Sequence, residues 1–310
     1  MTHGWAGDGR ASVMTVGTFD GVHLGHHRVL EEIAERARRS GRRSLLVTFE
    51  PHPLEVVNPA AAPPLLTLAH ERREVLAQSE LDAVVFLPFT PEVSRLEPQE
   101  FVRLLIDRYH LEELVVGFDH GMGRGRAGDV RLLRELGRTL HVAVDVVDAV
   151  TVDGRTVSST VIRRAVAGGD LTTAARFLGR PYSLTAPVVP GAGRGRTIGY
   201  RTINLELPDG RKLLPPDGVY AVQVEWAHGT SGGMMHQGPR PTFGDARRSL
   251  EVHLFDAMPD LYGQMAKLRW VARLREVRTF PSPEALKHQL DKDFAAARAA
   301  LTASAGGTSH

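Results

Sequence analysis

Residues 17–26 read Gly-Thr-Phe-Asp-Gly-Val-His-Leu-Gly-His, between an apolar β-branched run and a helical pattern. His23 and His26 stand three apart with Gly25 between them. A helix N-terminus carries partial positive charge and N–H groups without intrahelical partners, so this junction suits a phosphate. Gly21 and Gly25 let the backbone approach a ligand closely. Two imidazoles there can donate to phosphate oxygens as charge builds in a displacement at an α-phosphate. A bare His-x-x-His would favour a metal ion or a capping loop. The full string, placed after a strand and before a helix, favours nucleotidyl transfer. Gly17, Phe19, Asp20 and Gly25 are then candidate nucleotide contacts, with His23 and His26 catalytic.

Other segments carry weaker signals. Ser158-Ser-Thr-Val-Ile-Arg163 opens a helical pattern, and Ser159 is a natural N-cap for a helix over 160–167. Capping and anion binding share that position. Asp119 follows an apolar strand, where a carboxylate can meet a cation or a nucleotide. Gly123-Arg-Gly-Arg126 reads as a phosphate loop or, equally, as a solvated basic turn. Thr202 and Asn204 alternate along a predicted strand and share one face. A hydroxyl and a carboxamide oxygen placed that way can share one hard cation. On the strand predicted over 250–255, Glu251, His253 and Phe255 lie on one face and Leu250, Val252 and Leu254 on the other. The apolar set is core. By itself Glu251 is an exposed-face carboxylate.

The elements that must position these residues follow two grammars. Up to about residue 150, apolar runs (13–18, 44–49, 83–87, 114–118, 142–147) alternate with helical patterns (26–40, 69–78, 98–109, 129–139). Continuous apolar strands between helices imply a parallel sheet covered on both faces, with ligands at the carboxyl ends of its strands. After Tyr182 short strands recur between Gly/Pro turns, over 183–189, 202–207, 219–226, 250–255 and 268–274. That pattern suggests a small barrel or sandwich. A closing helix is expected over 283–301, followed by a disordered tail from Thr302. The expected fold is thus α/β plus all-β: a doubly wound parallel-sheet domain over 1–182 and a β-barrel with a C-terminal helix over 183–310.

Composition narrows the classes. The 310 residues carry 38 Lys and Arg against 36 Asp and Glu, a net charge of +2. That surplus is too small to suggest a nucleic-acid partner on charge alone. There are no cysteines, which excludes disulfides, thiolate catalysis and Cys-based metal sites. No apolar run approaches about 18 residues, and no signal-peptide core opens the chain. A cytoplasmic protein without nucleic-acid or membrane partners is expected, and self-association is left open.

The 17–26 string resembles the HxGH signature of the nucleotidylyltransferase superfamily, whose second signature is similar to Ser158–Arg163. The finer resemblance is to the bifunctional riboflavin kinase/FAD synthetases of bacteria, over about residues 12–300. Thr48-Phe-Glu-Pro-His-Pro53, Gly117-Phe-Asp119, the 123–129 stretch and Leu178-Gly-Arg-Pro-Tyr182 carry it in the first half. In the second half its markers are Gly191-Ala-Gly-Arg-Gly-Arg196, Thr202-Ile-Asn204, Leu214–Tyr220 and Gly238–Phe243. Arg201 stands where that family has Pro, and His236 where Asn is common.

The resemblance implies that riboflavin is phosphorylated to FMN with ATP, and that FMN is adenylylated to FAD with release of pyrophosphate. It implies Mg²⁺, held with ATP phosphate by Thr202 and Asn204. Glu251 would be the general base toward the riboflavin hydroxyl. Ser158, Ser159 and Arg163 would bind the departing phosphates. Asp119, Arg126, Gly191, Arg194, Gly195 and Arg196 would bind ATP or phosphate. Phe49, Pro51, His52, Tyr220 and Tyr262 would contact the flavin. Arg201 and His236 motivate a second reading, an FMN adenylyltransferase whose barrel binds flavin but is catalytically weak. A flavin-responsive regulatory or RNA-binding protein finds little support, because no basic patch with interleaved aromatics is present.

Overall fold

The structure, a computed structural model, describes residues 9–118, 121–190, 202–207, 210–240, 245–256 and 260–306. The chain forms two compact units, Met1–Ser159 and Thr160–His310.

The first unit runs β1 (Ser12–Val16), α1 (Leu24–Ser40), β2 (Arg43–Glu50), α2 (Pro53–Val57), α3 (Ala69–Leu76), β3 (Ala83–Pro88), α4 (Pro91–Arg95), α5 (Pro98–Tyr109), β4 (Leu111–Gly117), α6 (Val130–Leu140) and β5 (Ala143–Val147). A small hairpin follows, β6 (Thr151–Val152) with β7 (Arg155–Thr156). The sheet order is β3-β2-β1-β4-β5, with every neighbour parallel. The order reverses at the β1/β4 junction, the switch point where such sheets open a crevice. Alternate strand residues serve two cores. Val13, Leu46 and Val115 pack with Val29, Leu30, Ile33 and Ala37 of α1. Met14, Leu45, Val47, Leu114 and Val116 pack with Phe101, Leu105 and Tyr109 of α5. α1 ends at Gly41, whose left-handed φ of 66° closes the helix.

The second unit contains α7 (Ser159–Gly168, with Ser159 at the junction), α8 (Leu171–Leu178), β8 (Ser183–Val189), β9 (Ile203–Leu205), β10 (Gly218–Trp226), β11 (Gly229–Arg240), β12 (Asp245–Leu254), β13 (Met265–Arg275) and α9 (Pro283–Gly306). The strands close a barrel in the order β10-β11-β12-β9-β8-β13. Tyr220, Val222, Leu250, Val252, Leu268 and Trp270 are fully or almost fully buried. α9 covers part of the barrel surface, with Ala297 packed among Val219, Ala221 and Met234. The units divide at Ser159/Thr160, ahead of the change of grammar at Tyr182, because α8 packs on β13 and Tyr182 stacks on Trp270.

Two expectations need correction. β11 has no counterpart among the expected strands, since Gly229, Gly232, Gly233 and Gly238 erase its β propensity. Its glycines have a packing reason: a Cβ on Gly232 would lie 2.8 Å from the Leu301 side chain of α9. The tail expected to be disordered from Thr302 is helical to Gly306. An alanine-rich run of high helix propensity carries it onward.

Candidate active sites

The first candidate site lies where β1 ends and α1 begins. His23 is the N-cap of α1, and its Nδ1 accepts the His26 amide at 3.2 Å. His26 Nδ1 accepts the His23 amide at 3.3 Å. The rings stack at 3.6 Å between centroids, 11° from parallel. An imidazole that accepts at Nδ1 carries its hydrogen at Nε2 when neutral. When both rings are neutral, the reciprocal cap therefore puts each imidazole hydrogen on Nε2. The Phe19 ring stacks on His26 at 4.4 Å. Gly25 leaves room for this pair, since a Cβ there would come within 3.2 Å of the His23 ring. Gly17 similarly accommodates the Phe19 ring, 3.1 Å from where its Cβ would stand.

Several expected phosphate contacts are committed elsewhere. Asp20 is buried, and its carboxylate accepts Leu66 N at 3.0 Å, Thr67 N at 2.9 Å and Thr67 Oγ1 at 3.1 Å. It anchors the loop. Ser159 begins α7 instead of capping it, and its hydroxyl donates to the Asp20 carbonyl at 2.9 Å. With its one hydrogen so used, it holds the loop and gives no donor to phosphate. Arg163 lies one turn on, on the same helical face, and Ser158 immediately precedes the helix. Asp119 and the Arg126 side chain lie outside the described residues.

Of the expected flavin contacts here, Phe49 has its ring in the core, edge-on to Phe89 at 5.2 Å. His52 caps α2, its Nδ1 accepting Leu54 N at 3.2 Å. Pro51 is exposed beyond the cis Glu50–Pro51 bond. Leu54, Val57 and Phe118 are exposed apolar side chains beyond the carboxyl ends of β2 and β4, the strands flanking β1. Leu54 and Val57 lie on the short helix α2 and Phe118 in the loop after β4, so no single periodic pattern in the sequence marks the three together. Thr67 and Arg72 were also missed. Arg72 is buried, and desolvation lowers its pKa against the raising influence of Asp20 and Glu50. No motif marks either residue, because their roles arise only when α3 packs.

The second candidate site is on the outer face of the barrel. Asn204 of β9, Glu251 of β12 and His236 of β11 are direct cross-strand partners, Glu251 in the middle. Direct partners place their side chains on one face, about 5 Å apart at Cβ. Thr202, just ahead of β9, donates its hydroxyl to Glu251 Oε1 at 3.0 Å. The expected association of Thr202, Asn204 and Glu251 is thus present, with Glu251 partly buried. Farther along this face, Phe255 of the adjoining segment meets Phe294 of α9 at 4.6 Å.

Tyr220 is a core residue: it has no exposed surface, burial raises its pKa, and its hydroxyl donates to the Pro216 carbonyl. It does not reach the outer face, so the expected flavin contact is corrected. Tyr262 is 52 % exposed. Gly191, Arg194, Gly195, Arg196 and Arg201 lie outside the described residues.

The family model for FAD synthetase matches residues 7–161, and that for riboflavin kinase matches residues 178–301. The bifunctional riboflavin kinase/FMN adenylyltransferase of Pseudomonas fluorescens is 40 % identical over 96 % of this chain and 95 % of its own length. The chain belongs to the bifunctional riboflavin kinase/FMN adenylyltransferase family. The Escherichia coli K12 member of this family is 35 % identical over 92 % and 91 % of the two chains. A crystal structure described as a macrolide-efflux protein from Streptococcus pneumoniae superposes with a TM-score of 0.83 at 31 % identity, covering 93 % of each chain. Among the described residues of this family member, no helix is long and apolar enough to cross a membrane. Both transferase domains are present, in the order expected, and the reading with a single adenylyltransferase activity is not favoured.

Proposed function

We propose that the chain converts riboflavin to FAD in two ATP-dependent steps, one on each unit, with the residue roles set out below. The observation that carries the first step is the reciprocal His23–His26 cap, which holds two Nε2–H donors side by side at a helix N-terminus. An FMN phosphate oxygen attacks the α-phosphorus of ATP, and the bond to the β-phosphate breaks to release pyrophosphate. His23 and His26 donate to the oxygens that gain charge, and the α1 N-terminus adds its dipole. Ser158, just ahead of α7, takes the departing phosphates. Leu54, Val57 and Phe118 supply apolar surface for the flavin ring.

In the second unit, Glu251 removes the proton from the riboflavin 5′-hydroxyl as its oxygen attacks the γ-phosphorus and ADP leaves. Thr202 and Asn204 offer a hydroxyl and a carboxamide oxygen on one strand face, the kind of donor that a hard cation such as Mg²⁺ accepts. Mg²⁺ bound there would neutralise phosphate charge.

Purified protein given riboflavin, ATP and Mg²⁺ should yield FMN and then FAD, resolved by chromatography. FAD from added FMN but no FMN from riboflavin would remove the kinase half of the reading.

A further inference from the structure

We infer that Arg72 is a positioning residue for adenylyl transfer, its forked guanidinium tying the loop after β1 to the end of β2. This rests on the reading of the first unit as the adenylyl-transfer site. The parallel ladder between β1 and β2 runs from Ser12↔Arg43 to Val16↔Val47, with a last bond from Gly17 N to Val47 O at 3.1 Å. Past that point the chains leave for separate loops. Arg72, reaching over from α3, replaces the ladder: one terminal nitrogen donates to Thr18 O at 2.9 Å and the other to Phe49 O at 2.7 Å. Thr48 Oγ1 donates to Thr18 O as well, at 3.0 Å.

The rest of the segment over 66–72 grips the same loop. Asp20 is held by Leu66 and Thr67, and Gly21 N donates to Thr67 Oγ1 at 3.0 Å. Thr18, Asp20 and Gly21 are therefore all tied to one short segment. Between and beside these ties the backbone is strained. Phe19 has φ 48° and Val22 has φ 40°, left-handed values that side chains rarely adopt. Such strain persists only where the surroundings over-determine it. Phe19 passes the restraint on, since its ring lies against His26.

Arg72 is an expensive way merely to satisfy two carbonyls. It is 4 % exposed, and its Nε–H has no partner. A buried cation with an unused donor opposes folding. What it supplies that a hydroxyl or ammonium cannot is a planar fork reaching two acceptors at once. Asp20 and Glu50 only partly offset the burial of its charge, and the simultaneous reach to Thr18 O and Phe49 O is what the fork supplies here.

The test compares full-length Arg72→Met, which keeps length without donors, with Arg72→Lys, which keeps the cation without the fork. Both should lower kcat for FAD formation from FMN, Met by about 10²-fold, the cost of a misplaced catalytic group. Lys should recover little of that loss, even where it restores the melting temperature, and FMN formation from riboflavin should match wild type in both. Wild-type kcat per folded molecule in either variant, with only a lower melting temperature, would make Arg72 purely structural and overturn the inference. Full recovery by Lys would overturn it too, by assigning the effect to charge. Wild-type protein that makes no FAD from FMN would overturn the reading of the unit together with the inference. An active wild type with undiminished variants would overturn the inference alone.

Discussion

The two units build phosphate chemistry from opposite materials. In the first, ten consecutive residues supply the histidines, and the neighbouring helix supplies its N-terminus. The geometry depends on a strained loop and the side chains that pin it, Asp20, Thr67 and Arg72 foremost. In the second, no local string holds the site. Thr202 and Glu251 are 49 residues apart, and Asn204 joins them only through strand register. The failure modes differ accordingly. A loop site loses precision when its anchors loosen. A barrel-face site fails by slippage, because one residue of shift between β9 and β12 would turn Glu251 to the other face.

The sharpest break between the units should come from the groups proposed as catalytic. Glu251→Gln keeps size and an acceptor for the Thr202 hydroxyl but removes the basic oxygen. Riboflavin phosphorylation should fall by about 10²–10⁴-fold, the usual reach of a general base. FAD formation from FMN should stay at the wild-type rate. His26→Ala should do the converse, cutting FAD formation by about 10²–10³-fold through loss of one transition-state donor while FMN formation continues. Parallel loss of both activities in a folded variant would contradict separate sites.

These differences also explain what could be read from the sequence. The strand-and-helix alternation is legible because the central strands are apolar on both faces, Val13 and Leu46 serving one core and Met14, Leu45 and Val47 the other. The histidine string was legible because its chemistry is contiguous. The Thr202–Glu251 association rested on the family resemblance, and only the register between β9 and β12 gives it a physical basis. The anchoring of Asp20 is not legible locally, because its partners, Leu66 and Thr67, are distant in sequence. Tyr220 is buried in the barrel, which strand alternation alone does not reveal, because it does not say which face is inside. Arg72 was invisible, since a single arginine in a helix resembles any other until the helix packs.

A subtler probe separates activity from stability within the loop site. Gly25 sits in the first turn of α1 with no left-handed φ, so Ala is compatible with its backbone. Gly25→Ala should hold or raise the melting temperature of the first unit, since Ala gains up to about 1 kcal/mol over Gly inside a helix. The new Cβ, at 3.2 Å from the His23 ring, must push that ring by tenths of an ångström. FAD formation should fall by about tenfold, well short of the 10²-fold expected of a full 1 Å displacement. A variant that is both more stable and fully active would show that the stacked histidines tolerate more freedom than the reciprocal cap implies.

The smallest expected effect tests how a parallel sheet ties its strand starts. β10 and β11 meet through a two-residue hairpin between Trp226 and Gly229, so the chain itself sets their register. β2 and β3 are joined only through the long 51–82 connection, and side chains help fix their entry. Asp82 accepts the Ser44 amide and hydroxyl, both at 2.8 Å, while Asp82 N–H donates to Ser44 Oγ at 2.9 Å. The bond from the Ser44 backbone, aided by its hydroxyl and by Arg10 and Arg43, holds the Asp82 carboxyl below the usual carboxylate range. A folded-state pKa below the unfolded value adds stability above about pH 3.9 and loses it as pH falls through the folded value. Asp82 is exposed, so solvent screening limits that contribution to under about 1 kcal/mol. Asp82→Asn should therefore lower the melting temperature of the first unit slightly at neutral pH, and the deficit should vanish in acid. The barrel unit should melt as in the wild type at both pH values. A deficit of equal size at all pH values would mean that the tie works by shape and not by charge.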